Sequence, residues 1–338
     1  MFSAERALRI ATHAKINLSL EVLRKRADGF HDLRSVMVPV SLADEISLAV
    51  AGTDLTVLVE AEPGFDLSRL GPSEENLAYR AARLLQARHG APAGIQIHIH
   101  KKIPIGGGLG GGSADGAAVL WGLNRLCALG LSAATLQALG AELGSDLPAM
   151  LHGGAVCMEG RGERVQTILA GVPRPVPGFW LVLANPGICV PTKHAYQLCS
   201  CIGGLTESPN SFNNIVSSVR NGNVLGAAAA LFNGLEPGVF ATYLETARLA
   251  ERLRDAGGLG VLMSGSGASV FALVRDEAHG EDVRRKLGAG VWSMLIRTLP
   301  DGVMVAHGPL EPRAMVRIHV GQPLDGQHGT QERFCGGL

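Results

Sequence analysis

The sequence predicts an α+β fold, two domains with largely antiparallel sheets and flanking helices. Three observations carry that prediction. Strand-like segments fill the first sixty residues, and strands and helices are then mixed through the second half, an order that belongs to the α+β class. A stretch at 153–178, dense in glycine and proline, divides the chain. The expected boundaries are 1–158 for an N-terminal domain, 159–300 for a C-terminal domain and 301–338 for a turn-rich extension with little structure of its own. No internal repeat occurs, and 338 residues give ample material for a buried core.

Each element has its own signal. In Ile16-Asn17-Leu18-Ser19-Leu20-Glu21-Val22 apolar residues alternate with polar ones, the period of a half-buried strand. Asp28-Gly29 marks a turn, and LRSVMVPVSL, DEISLAV and DLTVLVEAE give three further strands. Pro63, Gly64, Gly71 and Pro72 make 62–75 a loop, after which Asn76 can cap the helix LAYRAARLLQARHG. Ile95 to His100 alternates again and leads straight into six glycines in the seven positions 106–112. Ala117, Ala118, Val119, Leu120, Leu123 and Leu126 then have helical spacing, and Ser132 opens another helix that stops near Gly144. In the second half WLVLANP, GVLMSG, SVFALV and WSMLIRTL read as strands, and the segments around 212–232, 238–256 and 280–287 as helices.

Composition narrows the function classes. The chain is 46% hydrophobic and 18% charged, which is globular. Thirty basic and thirty acidic residues cancel, so there is no overall basic field to hold nucleic acid or an anionic membrane. The apolar run 116–141 contains Arg125 and breaks at Gly130-Leu131-Ser132; the run 176–192 contains Pro177, Pro186 and Pro191. Neither offers the ~20 continuous apolar residues of a spanning helix. The N-terminus, MFSAERALRI, lacks the apolar segment of a signal peptide, so a cytoplasmic location is expected. Of six cysteines only Cys199 and Cys201 are close, as a lone C-x-C, and His98 and His100 share a strand face with no third ligand. No metal site is expected, and the thiols are those of a reducing compartment. The expected partner is a small molecule, and the expected assembly a monomer or homodimer.

The glycine run demands a reason. Each glycine held in place costs about 0.5–1 kcal/mol relative to alanine, so six put roughly 3–6 kcal/mol at stake. A linker would separate two units, yet this run joins a strand directly to a helix. Gly106-x-Gly108-x-x-Gly111 matches the dinucleotide fingerprint, but the first strand of that fold is apolar on both faces, whereas Gln96, His98 and His100 line one face here. Its ribose-binding acid is also missing, since no Asp or Glu stands between Asp115 and Glu142. There remains a phosphate cradle, in which backbone N–H groups and a helix N-terminus face an anion. Ser113 can cap that helix or donate its hydroxyl to a phosphate oxygen. No lysine follows the last glycine, so this is not a Walker A loop. Nucleotide binding is the favoured reading.

Phosphoryl transfer also needs positive charge and a group that positions or deprotonates the acceptor. Lys15 lies on the polar face of the first alternating strand with Asn17, where a lysine is ordinarily just solvated. Asp146, in Gly144-Ser145-Asp146-Leu147-Pro148, suits an N-cap for a short helix beginning at Pro148. It also suits a general base, and the two roles can coexist.

AKINLSL (14–20), IPIGGGLGGGSA (103–114), GSDLP (144–148) and LMSGSGASVF (262–271) resemble the motifs of the galactokinase–homoserine kinase–mevalonate kinase–phosphomevalonate kinase (GHMP kinase) superfamily. RADGFH (26–31) and NPGICVPTKHAY (185–196) narrow the resemblance to its 4-diphosphocytidyl-2-C-methyl-D-erythritol kinases, of isoprenoid biosynthesis, and it runs from about residue 9 to about residue 300. The resemblance implies a two-domain GHMP-kinase-like fold that uses ATP and Mg²⁺. Pro104-Ile105-Gly106-Gly107-Gly108-Leu109-Gly110-Gly111-Gly112-Ser113-Ala114 would hold the ATP phosphates, with Asn76 near the adenine. Asp146 would take the proton of the attacking erythritol hydroxyl, and Lys15 would hold Asp146 ionised and compensate transition-state charge. Gly265 and Gly267 would form a tight turn near phosphates and substrate. At the cytidyl end His31 and Asn17 would meet polar groups, Phe30 and Tyr196 would sandwich the cytosine, and Thr192 would lie close by. Core packing is the commoner role of any one aromatic residue, but the chain has only nine Phe, three Tyr and three Trp. Three departures stand out: His13 replaces the family proline, Phe30 and Tyr196 reverse the Tyr and Phe of some relatives, and Asn214 replaces an acid. A homoserine or mevalonate kinase would lack RADGFH and VPTKHAY in this form. A regulatory module that has lost catalysis would not be expected to keep Lys15 and Asp146.

Overall fold

The computed structural model describes residues 6–201 and 208–302; the expectations for 303–338, and for the thiols of Cys201 and Cys335, lie outside the described residues. Two 20-residue strands, β1 (Arg6–Lys25) and β2 (His31–Val50), pair antiparallel about the Asp28-Gly29 turn. There follow β3 (Leu55–Ala61), α1 (Leu77–His89), β4 (Ile95–Lys101), α2 (Gly111–Leu126), α3 (Ala133–Leu143), α4 (Leu147–His152), β5 (Val156–Gly160) and β6 (Arg164–Thr167). The second half runs β7 (Trp180–Asn185), α5 (Thr192–Cys201), α6 (Pro209–Arg220), α7 (Val224–Ala230), β8 (Phe232–Asn233), α8 (Glu236–Thr242), α9 (Leu244–Asp255), β9 (Gly260–Met263), β10 (Val270–Val274), α10 (Glu277–Leu287) and β11 (Trp292–Arg297). A seven-stranded sheet holds β1–β6 and β8; a four-stranded sheet has the order β11-β7-β10-β9. Among the described residues only the β3–β4 and β1–β8 pairs are parallel, so the chain has the expected α+β architecture with largely antiparallel sheets.

Burial explains the sequence patterns. Helices α1–α4 cover one face of the first sheet, where Ile46, Leu48, Ile97 and Ile99 meet Ala81, Leu85, Val119 and Leu123. The other face, with Ile16, Leu18, Val36 and Val38, packs on the second sheet through Leu181, Leu183, Phe271 and Leu273. Val182, Ala184, Val270 and Ala272 point the opposite way, against Leu249, Leu253, Val283 and Leu287 of α9 and α10. A strand buried on both faces has no polar side to show, which is why WLVLAN and VFALV read as continuous apolar runs.

Several elements differ from expectation. LRSVMVPVSL and DEISLAV are one bent strand, because the pairing jumps from His13↔Ala43 to Lys15↔Pro39, a bulge that keeps the ladder going where a break was expected. The helix expected over 212–232 stops at Arg220. There the chain turns through Gly222 at φ +63°, and the Asn223 side chain caps α7 by accepting the Gly226 N–H at 2.9 Å. The helix expected over 238–256 divides at Tyr243, whose φ of −110° and ψ of 79° are not helical. Within 153–178, β5 and β6 pair with each other and β5 with Leu33–Met37 of β2, while the second sheet begins at Trp180. No described helix is long and apolar enough to cross a membrane.

Candidate active site

A cavity of about 1200 Å³ gathers residues from both halves of the chain. Every candidate catalytic or binding residue named from the sequence lines it except Ala114, buried in α2, and Gly267. Its volume exceeds the roughly 300–1,000 Å³ of ordinary single-ligand pockets, which leaves room for two substrates side by side.

Lys15 is not solvated. The polar face of β1 is buried as well as the apolar one, and Lys15 and Asn17 are only 4% and 3% exposed. Lys15 Nζ donates to Asn17 Oδ1 at 2.7 Å and to the Gly108 carbonyl at 3.0 Å, and stands 3.4 Å from Asp146 Oδ2. Three partners match the three N–H bonds of a buried ammonium, which burial requires. Asn17 is fixed in turn by donating from Nδ2 to Ser35 Oγ at 2.8 Å. Asp146 occupies the N-cap position of α4, but its backbone is already helical, at φ −85° and ψ −19°, and its side chain makes no capping bond. The carboxylate, about a third exposed, faces Lys15 and the cavity.

The glycine loop is shaped by close approach and by helix geometry. Gly106, Gly108 and Gly110 have φ of +68°, +74° and +70°. A Cβ on Gly108 would lie 2.2 Å from the Ser264 carbonyl, so glycine is required there. Helix α2 starts from Gly110 with no side-chain cap, so Ser113 does not cap it. The Ala114 N–H returns to the Gly110 carbonyl at 2.8 Å, and the N–H groups of Gly111, Gly112 and Ser113 precede the first intrahelical bond. Gly112 is different from Gly108: an added Cβ would find only Leu77 Cδ1, at 3.9 Å. On α1, Asn76 caps as expected, its Oδ1 accepting the Ala78 N–H at 2.9 Å, and it borders the same cavity.

The turn at 264–269 locks onto this loop. Gly265 and Gly267 have φ of +56° and +82°; the Ser269 N–H donates to the Gly107 carbonyl at 3.1 Å and Ser264 Oγ to the Gly108 carbonyl at 3.1 Å. Asn233, which the sequence did not flag, holds the turn by donating from Nδ2 to the carbonyls of Met263 and Gly265, both at 2.8 Å. Sequence reading also missed Asp44 and Lys101, buried under the loop with Asp115. A single acid inside the apolar helix GSADGAAVL was the one signal available. Burial, with the neighbouring Asp115 charge, pushes the Asp44 carboxyl up to about 6 against the opposing pull of Lys101.

The aromatic residues line the same cavity. Tyr196 stacks on His31, with ring centroids 5.3 Å apart and planes 26° apart, and burial pushes the Tyr196 hydroxyl pKa up. Burial, helped by Lys25, lowers the His31 pKa, and His31 Nε2 lies 3.0 Å from Ser200 Oγ. Phe30 is half exposed and carries the Arg161 guanidinium 5.0 Å above its ring. Thr192 Oγ1 sits 3.2 Å from Ser266 Oγ, which ties α5 to the 264–269 turn.

Comparison with known proteins gives the family and the fold. The model of the GHMP kinases N terminal domain matches residues 76–154, and that of the GHMP kinases C terminal matches residues 215–291. A 4-diphosphocytidyl-2-C-methyl-D-erythritol kinase of Pelotomaculum thermopropionicum is 41% identical over 266 residues, covering 78% of this chain and 88% of that protein. One from Symbiobacterium thermophilum is 40% identical over 296 residues, covering 86% and 100%. The crystal structure of a 4-(cytidine 5'-diphospho)-2C-methyl-D-erythritol kinase superposes with a TM-score of 0.69 at 32% identity, covering 86% of this chain and 99% of that one. The homoserine kinase of Cytophaga hutchinsonii shares the fold, with a TM-score of 0.62 at 19% identity, covering 88% and 96%. Homoserine kinase thus shares the architecture alone, whereas identity of this order across most of the chain reaches down to the branch: this small-molecule kinase belongs to the 4-diphosphocytidyl-2-C-methyl-D-erythritol kinase family of the GHMP kinases.

Proposed function

We propose that the chain transfers the γ-phosphoryl group of ATP to a hydroxyl of 4-diphosphocytidyl-2-C-methyl-D-erythritol, in the cytoplasm, on the route to isoprenoid precursors. The observation that carries the mechanism is the Lys15–Asp146 pair, 3.4 Å apart at the cavity wall, with a carboxylate that caps no helix. Asp146 accepts the proton of the substrate hydroxyl as that oxygen attacks the γ-phosphorus in line. The new O–P bond forms as the bond to the β-phosphate oxygen breaks, and ADP leaves. Lys15, 3.4 Å from Asp146, offsets the negative charge that spreads over the phosphoryl oxygens. The N–H groups at the start of α2 receive the ATP phosphates, and Asn76 borders the adenine.

Phe30 and Tyr196 hold the cytosine, His31 and Asn17 meet polar groups of the acceptor, and Thr192, Gly265 and Gly267 shape the wall between the two substrates. Mg²⁺ would enter on the ATP phosphates: it keeps several waters and needs few protein ligands, and among the described residues no group of three or more His, Cys, Asp or Glu side chains could hold an ion. The segment 1–158 would carry the ATP loop and 159–300 the remaining wall of the acceptor site.

The test is ADP release with ATP and Mg²⁺ against four acceptors: the cytidyl compound, methylerythritol phosphate, homoserine and mevalonate. Activity with the cytidyl compound alone is expected. Activity with another acceptor keeps the Asp146 chemistry and overturns the substrate. Silence on all four, with ATP still bound, points to a regulatory module.

A further inference from the structure

Beneath the glycine loop lies a cluster of charge that the chemistry above does not use. Asp44 on β2, Lys101 at the end of β4 and Asp115 in the second turn of α2 are 0%, 4% and 3% exposed. The Asp44 carboxylate pairs with the Lys101 ammonium, which also donates to Asp115 Oδ2 at 2.8 Å. Asp44 Oδ1 accepts the backbone N–H groups of Lys102 at 2.5 Å and Ile103 at 2.8 Å, the two residues that lead into the loop. Asp115 Oδ1 accepts from Thr12 Oγ1 at 3.0 Å, on the strand that carries Lys15.

Three buried charges are a poor source of stability, because removing ions from water is costly and well-packed apolar replacements often do as well or better. What this arrangement supplies is geometry. Asp44 fixes the chain where it enters the loop, Asp115 belongs to the helix by which it leaves, and Lys101 ties the two together. A Cβ on Gly111 would lie 3.2 Å from Lys101 Nζ, so the start of α2 is seated directly on the ammonium.

We propose that Asp44, acting through Lys101 and Asp115, is a positioning residue that fixes the separation of the two ends of the glycine loop and thereby sets the affinity for the phosphates of the nucleotide. The proposal rests on the reading of that loop as the ATP phosphate site. Asp44→Ala removes the acceptor of both N–H groups and the partner of Lys101, whereas Asp44→Asn keeps an oxygen for the N–H groups. KM for ATP and KM for the cytidyl acceptor, measured separately with the fold checked by circular dichroism, read the effect. In Asp44→Ala the KM for ATP is expected to rise about tenfold or more, the scale of a misplaced binding group, with the acceptor KM within about twofold. Asp44→Asn is expected to recover most of the loss. An unchanged KM for ATP in folded Asp44→Ala, or equal rises in both constants, overturns the proposal.

If Asp44→Ala does not fold, Asp115→Ala carries the same test, since it removes the Lys101 acceptor on the helix side together with one of two like charges. An unchanged KM for ATP in that variant overturns the positioning role; a selective rise supports it. Gly112→Ala separates this proposal from the reading beneath it. If Gly112→Ala binds ATP as wild type does, the loop is not the phosphate site and both fail. If it weakens ATP binding while the Asp44 and Asp115 variants do not, the positioning role alone fails.

Discussion

Asp146 faces Lys15 across 3.4 Å and leaves the first turn of α4 without a side-chain cap. An N-cap aspartate ordinarily contributes about 1 kcal/mol to its helix, so a carboxylate turned away from that role is held for another partner. Asp146→Asn preserves its shape and removes its charge and basicity. Turnover is expected to fall by about 10²–10⁴-fold, the usual scale for losing a general base, with kcat and kcat/KM falling together because the group acts in the transition state. An ADP-release assay checks this, and near-normal turnover would show that another group takes the proton. The aromatic residues make a separate prediction. Phe30 is 51% exposed, with Arg161 over one face, and Tyr196 rests on His31. Stacking a base on an aromatic ring is worth roughly 1–3 kcal/mol by alanine substitution. Tyr196→Ala should therefore raise the KM for the cytidyl acceptor about 5–150-fold and leave the KM for ATP almost unchanged. Equal rises in both would reject the stacking role.

The glycine loop shows how two identical residues in one element serve different needs. Gly108 has a left-handed backbone and a carbonyl 2.2 Å from where a Cβ would sit, so Gly108→Ala should destabilise the fold by at least about 1–2 kcal/mol. Gly112 lies in the first turn of α2 with open space beside it, so Gly112→Ala should leave stability unchanged or raise it by up to about 1 kcal/mol. The same substitution should weaken ATP binding, because a methyl group would stand where backbone meets phosphate. Thermal unfolding and ATP titration of both variants check this, and a Gly112→Ala protein that binds ATP normally would exclude phosphate from the helix start. The loop was legible in the sequence because six glycines between an alternating strand and a helical stripe have no bland explanation. The continuous apolar strands β7 and β10 were legible because burial on both faces leaves one pattern. Helix α5 was not, since Thr192-Lys193-His194 follows Pro191 with no clear apolar stripe. Nor was the burial of Lys15 and Asn17: alternation tells which residues share a face, whereas what covers that face arrives from far along the chain, Gly108 from 93 positions away. Asp44 and Lys101, 57 positions apart, left no local trace for the same reason.

Across the whole molecule the cavity joins the two halves of the chain, and each half buries ionisable groups of its own. On one side Asp44 is pushed up to about 6 by burial and by Asp115; on the other, burial pushes Glu236, which accepts the Met263 N–H at 2.7 Å, up to about 7. Both carboxyls bind a proton more tightly folded than unfolded. The stability they contribute is therefore fully present below the ordinary carboxyl range and is lost as pH rises through about 6–7. At about 1.4 kcal/mol per pK unit, Asp44 alone accounts for up to about 3 kcal/mol. His13 and His31, lowered by burial, work in the opposite direction, since the unfolded chain takes up their protons more readily as pH falls below the ordinary histidine range. The raw stability profile therefore mixes both slopes, and a variant is needed to separate them. Asp44→Asn deletes one titration and leaves the histidines in place. From about pH 5 to about pH 8, the stability of wild type minus that of Asp44→Asn should decline by up to about 1.4 kcal/mol, the one pK unit that separates pH 5 from the folded value, read by denaturant unfolding at constant ionic strength. A flat difference, or one that grows with pH, would mean that Lys101 fully offsets the burial and keeps Asp44 ionised throughout. The carboxylate under the glycine loop would then be permanently charged, and the loop's geometry would not change over that range of pH.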